Sequence, residues 1–167
     1  MNSKRIDTLF ITHASLIAAV YTVITIYVSS FGLANGAIQI RLSEALCILP
    51  IFTGAAVPGL FIGCLISNIL TGCVIWDIVF GSIATGLSAY LTYRLRDTKV
   101  LYYFPPIVLN ALIIPLVLHF AYGLKEGIWF LILTVGLGEL ISVGVFGTLL
   151  KRVLWSNRHK IFRKDVL

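Results

Sequence analysis

The stretch IQIRLSEALCILPI, residues 38–51, decides how this chain is read. It sets Arg41 and Glu44 at the mouth of an otherwise apolar run, in a chain that is apolar almost throughout. On an α-helix a spacing of three puts both side chains on one face, where guanidinium and carboxylate partly neutralise each other. Two readings follow. The pair is either an ordinary helix-end ion pair whose charges snorkel to a membrane surface, or part of a site within the bilayer. The run is also shorter than the ~20 residues a spanning helix needs, so alone it reads as a crossing or as a re-entrant hairpin.

The surrounding composition excludes a soluble domain. Of 167 residues, 59% are hydrophobic and 12% charged, and the mean hydropathy is +0.99. Several runs approach spanning length, which makes residues 1–167 a single membrane domain. The net charge of +6 would suit nucleic acid if it were spread over a face. Instead eleven of the thirteen Lys and Arg residues flank apolar runs, at Lys4 and Arg5, at Arg94, Arg96 and Lys99, and at Lys151, Arg152, Arg158, Lys160, Arg163 and Lys164. That is the positive-inside pattern of a bilayer protein with no nucleic-acid partner. Cys47, Cys64 and Cys73 lack paired ligand spacing and read as small buried side chains, with no metal. The first run is long and has no small-x-small cleavage site, so it is expected to stay as a helix.

Six helices are expected, at about 8–30, 39–53, 55–71, 73–93, 104–122 and 127–152. Parity decides the second. If the basic head and the Arg94 group share the cytoplasm, an even number of crossings separates them, and the second run crosses. The fold class is therefore an all-α, six-transmembrane-helix bundle, multi-pass in the cell membrane, with both termini cytoplasmic. Ala14 and Ala18, four apart, form a small-residue face that lets another helix approach closely. His13 reads as a packing or interfacial residue.

Once the flanking charges are set aside, Arg41, Glu44, Asp77 and Glu139 remain at membrane depth, with the amides Asn68 and Asn110. The topology gathers most of them toward the outer side. Glu139 lies about 11 residues into the last helix, close to the midplane, and floors an outward-open cavity rimmed by Arg41 and Glu44. Asn110 enters from the inner half of its helix. Bland roles exist for several: Asp77 as a helix cap, Asn68 as an interhelical hydrogen bond, Trp76 as an interface-belt residue rather than a stacking platform. A mid-span carboxylate beside Gly136 and Gly138 has no such role, because it must be protonated, paired or facing a polar cavity. No HExxH, GxSxG or phosphate-loop motif is present, so binding is expected rather than catalysis, and no cofactor. Carboxylates, amides, an arginine and an indole suit a planar, nitrogen-rich small molecule.

The segments IQIRLSEALCILP (38–50), PGLFIGCLISN (58–68), WDIVFGSIATGLSAYLTYRLR (76–96), PPIVLNALI (105–113) and VGLGELI (135–141) resemble the QueT family of S components of energy-coupling factor transporters. The resemblance implies a substrate-binding subunit without enzymatic activity. It implies a ligand of the 7-deazaguanine type, such as a 7-aminomethyl or 7-cyano base or queuine. Its partners would be one transmembrane coupling subunit and two ATPases. Substrate contacts would come from Arg41, Glu44, Asn68, Trp76, Asp77, Asn110 and Glu139, and partner docking from Ala14 and Ala18. Another vitamin or nucleobase ligand, a proton-coupled carrier, and a small intramembrane enzyme or scaffold are the alternatives. Residues 31–37 and 71–72 are the two outer loops, either of which is a candidate lid over a ligand.

Overall fold

The computed structural model describes residues 8–32 and 41–162, the side chains of 159 and 160 excepted. The basic head, residues 38–40, most of the 31–37 loop, the side chain of Lys160, and Arg163 and Lys164 lie outside the described residues. Every described element is helical. Helix α1 (Thr8–Ser30) is followed by a 3₁₀ helix (Leu42–Ile51), α2 (Ala56–Leu70) and α3 (Ile75–Arg94). A single 3₁₀ turn (Leu101–Tyr103) leads into α4 (Phe104–Phe120). Helix α5 (Ile128–Glu139), a π-helical stretch (Leu140–Gly147) and α6 (Thr148–Ile161) then form one continuous rod. That rod runs past the expected end near residue 152, because no Gly or Pro follows Gly147 before its end and Leu150 and Leu154 keep packing on the core beside Phe162.

Four helical segments are long and apolar enough to cross a membrane: Thr8–Ser30, Ile75–Arg94, Leu101–Phe120 and Ile128–Arg158. Leu42–Ile51 and Ala56–Leu70 are shorter apolar helices. The contacts nevertheless fix the direction of every one. A Cβ added at Gly59 would meet the Ala14 carbonyl at 2.7 Å, and one at Gly63 would meet the Ala18 carbonyl at 3.0 Å. Sequence numbers rise together along this contact, so α1 and α2 are parallel. Between them the chain must return, and Thr25 bonding Ser43 while Tyr21 bonds Glu44 shows the 3₁₀ helix running opposite to α1. Ten residues in 3₁₀ geometry reach about 20 Å, against about 15 Å as an α-helix. That stretch nearly matches the about 22 Å spanned by α2's 15 residues. The tighter helix thus gives a short run a longer reach.

The remaining neighbours alternate. Phe61 faces Gly86 while Asn68 bonds Asp77, and Ile114 faces Gly81 while Tyr122 bonds Asp77, which makes α2 with α3 and α3 with α4 antiparallel pairs; Ala111 of α4 faces Gly136 of α5. His13 of α1 meets the Phe162 ring edge-on at 6.0 Å, so the start of α1 and the end of α6 share one end of the bundle. Arg94, Arg96, Lys99, Lys151, Arg152 and Arg158 are at that same end, which we call the basic end.

The distribution of side chains is inverted relative to a water-soluble domain. Leu16, Val23, Leu116, Leu133 and Val145 are exposed around the bundle, while Glu44, Ser67, Thr85, Ser88, Asn110 and Ser142 are buried within it. Such a surface is stable only against lipid, and polar groups in such a bundle face inward. Ala14 and Ala18 do provide a close-approach face, but it is occupied by Gly59 and Gly63 of α2. The face expected to receive a coupling subunit is therefore used within the chain.

Replacing Gly59 by Leu drives a side chain into backbone and into Ile17, an overpacking cost of about 1–3 kcal/mol. The thermal unfolding midpoint in detergent is expected to fall clearly for Gly59→Leu and to hold for Gly136→Ala, whose added methyl meets Ala111 at an ordinary 3.6 Å.

Candidate functional site

The interior polar residues form two levels. Nearer the end opposite the basic one, Arg41 precedes the 3₁₀ helix with φ −91° and ψ 87°. Off the helix, its guanidinium turns away from Glu44 and bridges to Asp77 Oδ2 at 3.4 Å. The expected Arg41–Glu44 pair is thus not formed, because helical spacing does not apply to a residue outside the helix. Tyr122, just beyond α4, donates its hydroxyl to the same oxygen at 3.1 Å. Burial, and next the Asp77 carboxylate, push the Tyr122 phenol above its ordinary range, so it remains a donor. Asp77 lies in the first turn of α3 but makes no capping bond there, and its Oδ1 is buried without a partner among the described residues.

The deeper level lies about 12 Å further along α3, eight residues from Asp77 at Thr85. Its centre is Glu44, which is 0% exposed. Tyr21 donates to Oε1, as does Thr85 at 3.3 Å. Cys47 donates to Oε2 at 2.9 Å and Asn110 at 3.4 Å. Side chains three apart eclipse on a 3₁₀ helix, which is why Cys47 sits directly over Glu44. Glu44 is therefore not at a rim. It belongs to the floor, and Asn110 reaches it from α4 despite its position on the inner half of that helix.

Glu139 ends α5 where the π stretch begins, and it is 5% exposed. It faces the same interior, within electrostatic reach of Glu44 and Arg41 and beside Asn110. Its Oε2 has no hydrogen-bond partner among the described residues, and neither has the hydroxyl of buried Ser142. Asp77 Oδ1 shares this state, as do His13 Nδ1, Arg96 Nη1 and His119 Nδ1 elsewhere among the described residues. A ligand bearing N–H and O–H donors together with an acceptor would satisfy the Glu139, Ser142 and Asp77 atoms.

Asn68 and Trp76 stand apart from this floor. Asn68 is buried and donates to the Asp77 backbone carbonyl at 3.2 Å, with Cys64 Sγ at 3.6 Å, so its amide joins α2 to α3. Trp76 is 57% exposed and lies on the outer surface, stacked on Phe80 with centroids 5.9 Å apart. With exposed Trp129 at the same end, it forms an aromatic belt rather than a platform in the cavity. Sequence reasoning missed Tyr21, Thr85, Tyr122 and Ser142. Their polar tips inside apolar runs were the signal available. Thr71 and Gly72 form a tight turn with Gly72 at φ 73°, and Thr71 bonds back to the Ser67 carbonyl at 2.8 Å.

The sequence model of a family described as QueT transporter matches residues 11–155, most of the chain. No curated protein and no solved structure matches it.

Two substitutions separate the levels. Arg41→Gln strands Asp77, 4% exposed at its side chain, and should cost about 3–5 kcal/mol, the scale for breaking a buried pair. Adding Asp77→Asn should return part of that loss in a double-mutant cycle of unfolding free energies. Tyr21→Phe removes one donor from Glu44 and should cost about 1–3 kcal/mol without changing the Arg41–Asp77 coupling.

Proposed function

We propose that this chain, which belongs to the QueT transporter family, is the substrate-binding S component of an energy-coupling factor importer. Transport is the role that membership carries, and the described helices fit a membrane protein. The finer reading is capture of a queuosine precursor, a 7-deazaguanine base or queuine, from outside the cell. Import is then driven by a transmembrane partner and two ATPases rather than by this chain.

The observation that carries the ligand reading is the Glu139 carboxylate. It is buried at mid-bundle with one oxygen unpartnered among the described residues, beside Asn110 and across from Glu44. Two carboxylates and an amide around one space match the amino-lactam edge of a deazaguanine, which offers adjacent N–H donors and a carbonyl acceptor. On this reading Glu139, Asn110 and Glu44 hold the base. Arg41, Asp77 and Tyr122 lie between it and the outside, Asn68 supports Asp77, and Trp76 contacts lipid. Supporting the orientation, the cations Arg94, Arg96, Lys99, Lys151, Arg152 and Arg158 share one end with the start of α1 and the end of α6, and we place that end in the cytoplasm. The parallel α1 and α2 support a sixfold crossing, with the 3₁₀ helix as the second span.

A proton-coupled carrier is the second reading, favoured by the same unpartnered carboxylate, a group suited to relaying protons. The two part on energy source. Uptake of 7-aminomethyl-7-deazaguanine into cells should stop when the ATPase partners are deleted. Uptake that persists without them and collapses with the proton gradient establishes the carrier instead.

Glu139→Gln should raise the Kd for the base by about five- to a hundred-fold, the equivalent of ~1–3 kcal/mol for stranding buried donors. Calorimetry with the purified chain measures this, and unchanged affinity removes Glu139 from the site. Mass spectrometry of the small molecule that co-purifies identifies the base directly.

A further inference from the structure

At the basic end, a cavity of about 430 Å³ opens between the loop after α3, the 3₁₀ turn Leu101–Tyr103 and α6. Its walls include Arg96, Lys99, Lys151, Asp97, Tyr102 and Trp155. Three cations and one carboxylate leave it with an excess of two positive charges. Among the described residues no carboxylate forms an ion pair with any of the three, and the Arg41–Asp77 pair lies at the opposite end of the bundle.

Arg96 and Lys151 are held instead by aromatic faces and a phenol. Lys151 Nζ donates to the Tyr102 hydroxyl at 2.5 Å and lies 4.9 Å from the centre of the Tyr102 ring. The Arg96 guanidinium lies 4.5 Å over the Tyr93 ring, and its Nη1 is buried without a hydrogen-bond partner among the described residues. A ring face steadies a cation but does not neutralise it. Guanidinium N–H groups without acceptors, beside a lysine, are complementary to phosphate oxygens.

The walls are built, not incidental. Tyr102 is buried, and its carbonyl accepts the Thr92 hydroxyl at 3.1 Å. Tyr103 accepts from Thr148 at 2.9 Å, which fixes the turn against α6. Beside the cavity, Val100, Leu101 and Phe104 are exposed, at the level where the span Leu101–Phe120 begins. A phosphate placed between Arg96 and Lys151 would therefore have hydrocarbon at its side.

We propose that this cavity binds the phosphate of an anionic phospholipid headgroup, with the acyl chains lying along Val100, Leu101 and Phe104. The site is separate from the interior polar floor and needs no transported base. Basic pockets between membrane helices take anionic headgroups by this chemistry.

The test is native mass spectrometry of the detergent-purified full chain, titrated with dioleoylphosphatidylglycerol, dioleoylphosphatidylcholine or inorganic phosphate alone. Phosphatidylglycerol adducts should persist at collision energies that strip phosphatidylcholine. The double variant Arg96→Gln/Lys151→Gln should weaken phosphatidylglycerol retention by at least ten-fold, while Arg152→Gln, outside the lining, should not. Exposed Lys99→Gln, which leaves packing intact, should give an intermediate loss and keeps the test decisive should the double variant fail to fold. Equal retention of the two lipids, or equal loss with Arg152→Gln, overturns the proposal. Displacement of phosphatidylglycerol by millimolar inorganic phosphate reassigns the cavity to a free anion and overturns the lipid source.

Discussion

A carboxylate with no access to solvent, inside a bundle whose outer surface is apolar, cannot stand alone. Glu44 meets that constraint by taking donors from α1 through Tyr21, from its own helix through Cys47, from α3 through Thr85 and from α4 through Asn110. Four elements are thereby referenced to one side chain. The segment that carries Glu44 has to lie in the middle of the bundle for these donors to converge. That position in turn lets α1 and α2 run parallel on one side of it, with backbones in contact at Gly59 and Gly63.

Two departures from α-helical geometry meet at this centre. The 3₁₀ helix Leu42–Ile51 is thin and extended, and the π-helical stretch Leu140–Gly147 is wide and compressed. They pack on each other, with Gly147 against the Ala45 carbonyl. One gives a short apolar run the reach to lie alongside longer helices. The other begins at Glu139, and π-turns recur at functional sites in helices. The polar floor is thus assembled from the least regular parts of an otherwise regular bundle.

Much of this was legible in the sequence. The basic flanks marked which ends lie together, and the polar residues inside apolar runs named most of the interior. What failed has physical causes. Arg41 was paired with Glu44 on helical spacing, but it precedes the helix and reaches Asp77. Trp76 and Asp77 were both assigned to the cavity, yet consecutive helical residues do not share a face, and Asp77 takes the interior. The Ala14 and Ala18 face announced close approach without saying to which helix. Asn110 was the weakest member of the expected site on depth along its own helix, because nothing in the sequence told how deep the carboxylate of a 3₁₀ segment would sit. Tyr21 and Thr85 were hidden among residues that ordinarily only pack.

The π stretch also governs helical phase. An α-helix turns about 100° per residue, so the extra residue accommodated between Glu139 and Thr148 sets the angular offset between the two halves of the rod. Glu139 faces the interior from the first half, and Lys151 faces Tyr102 from the second. Were the stretch to regularise by one residue, everything beyond it would rotate by about a quarter turn or more relative to α5. The π stretch thus sets the direction from which Lys151 meets Tyr102 once Glu139 is turned to the interior.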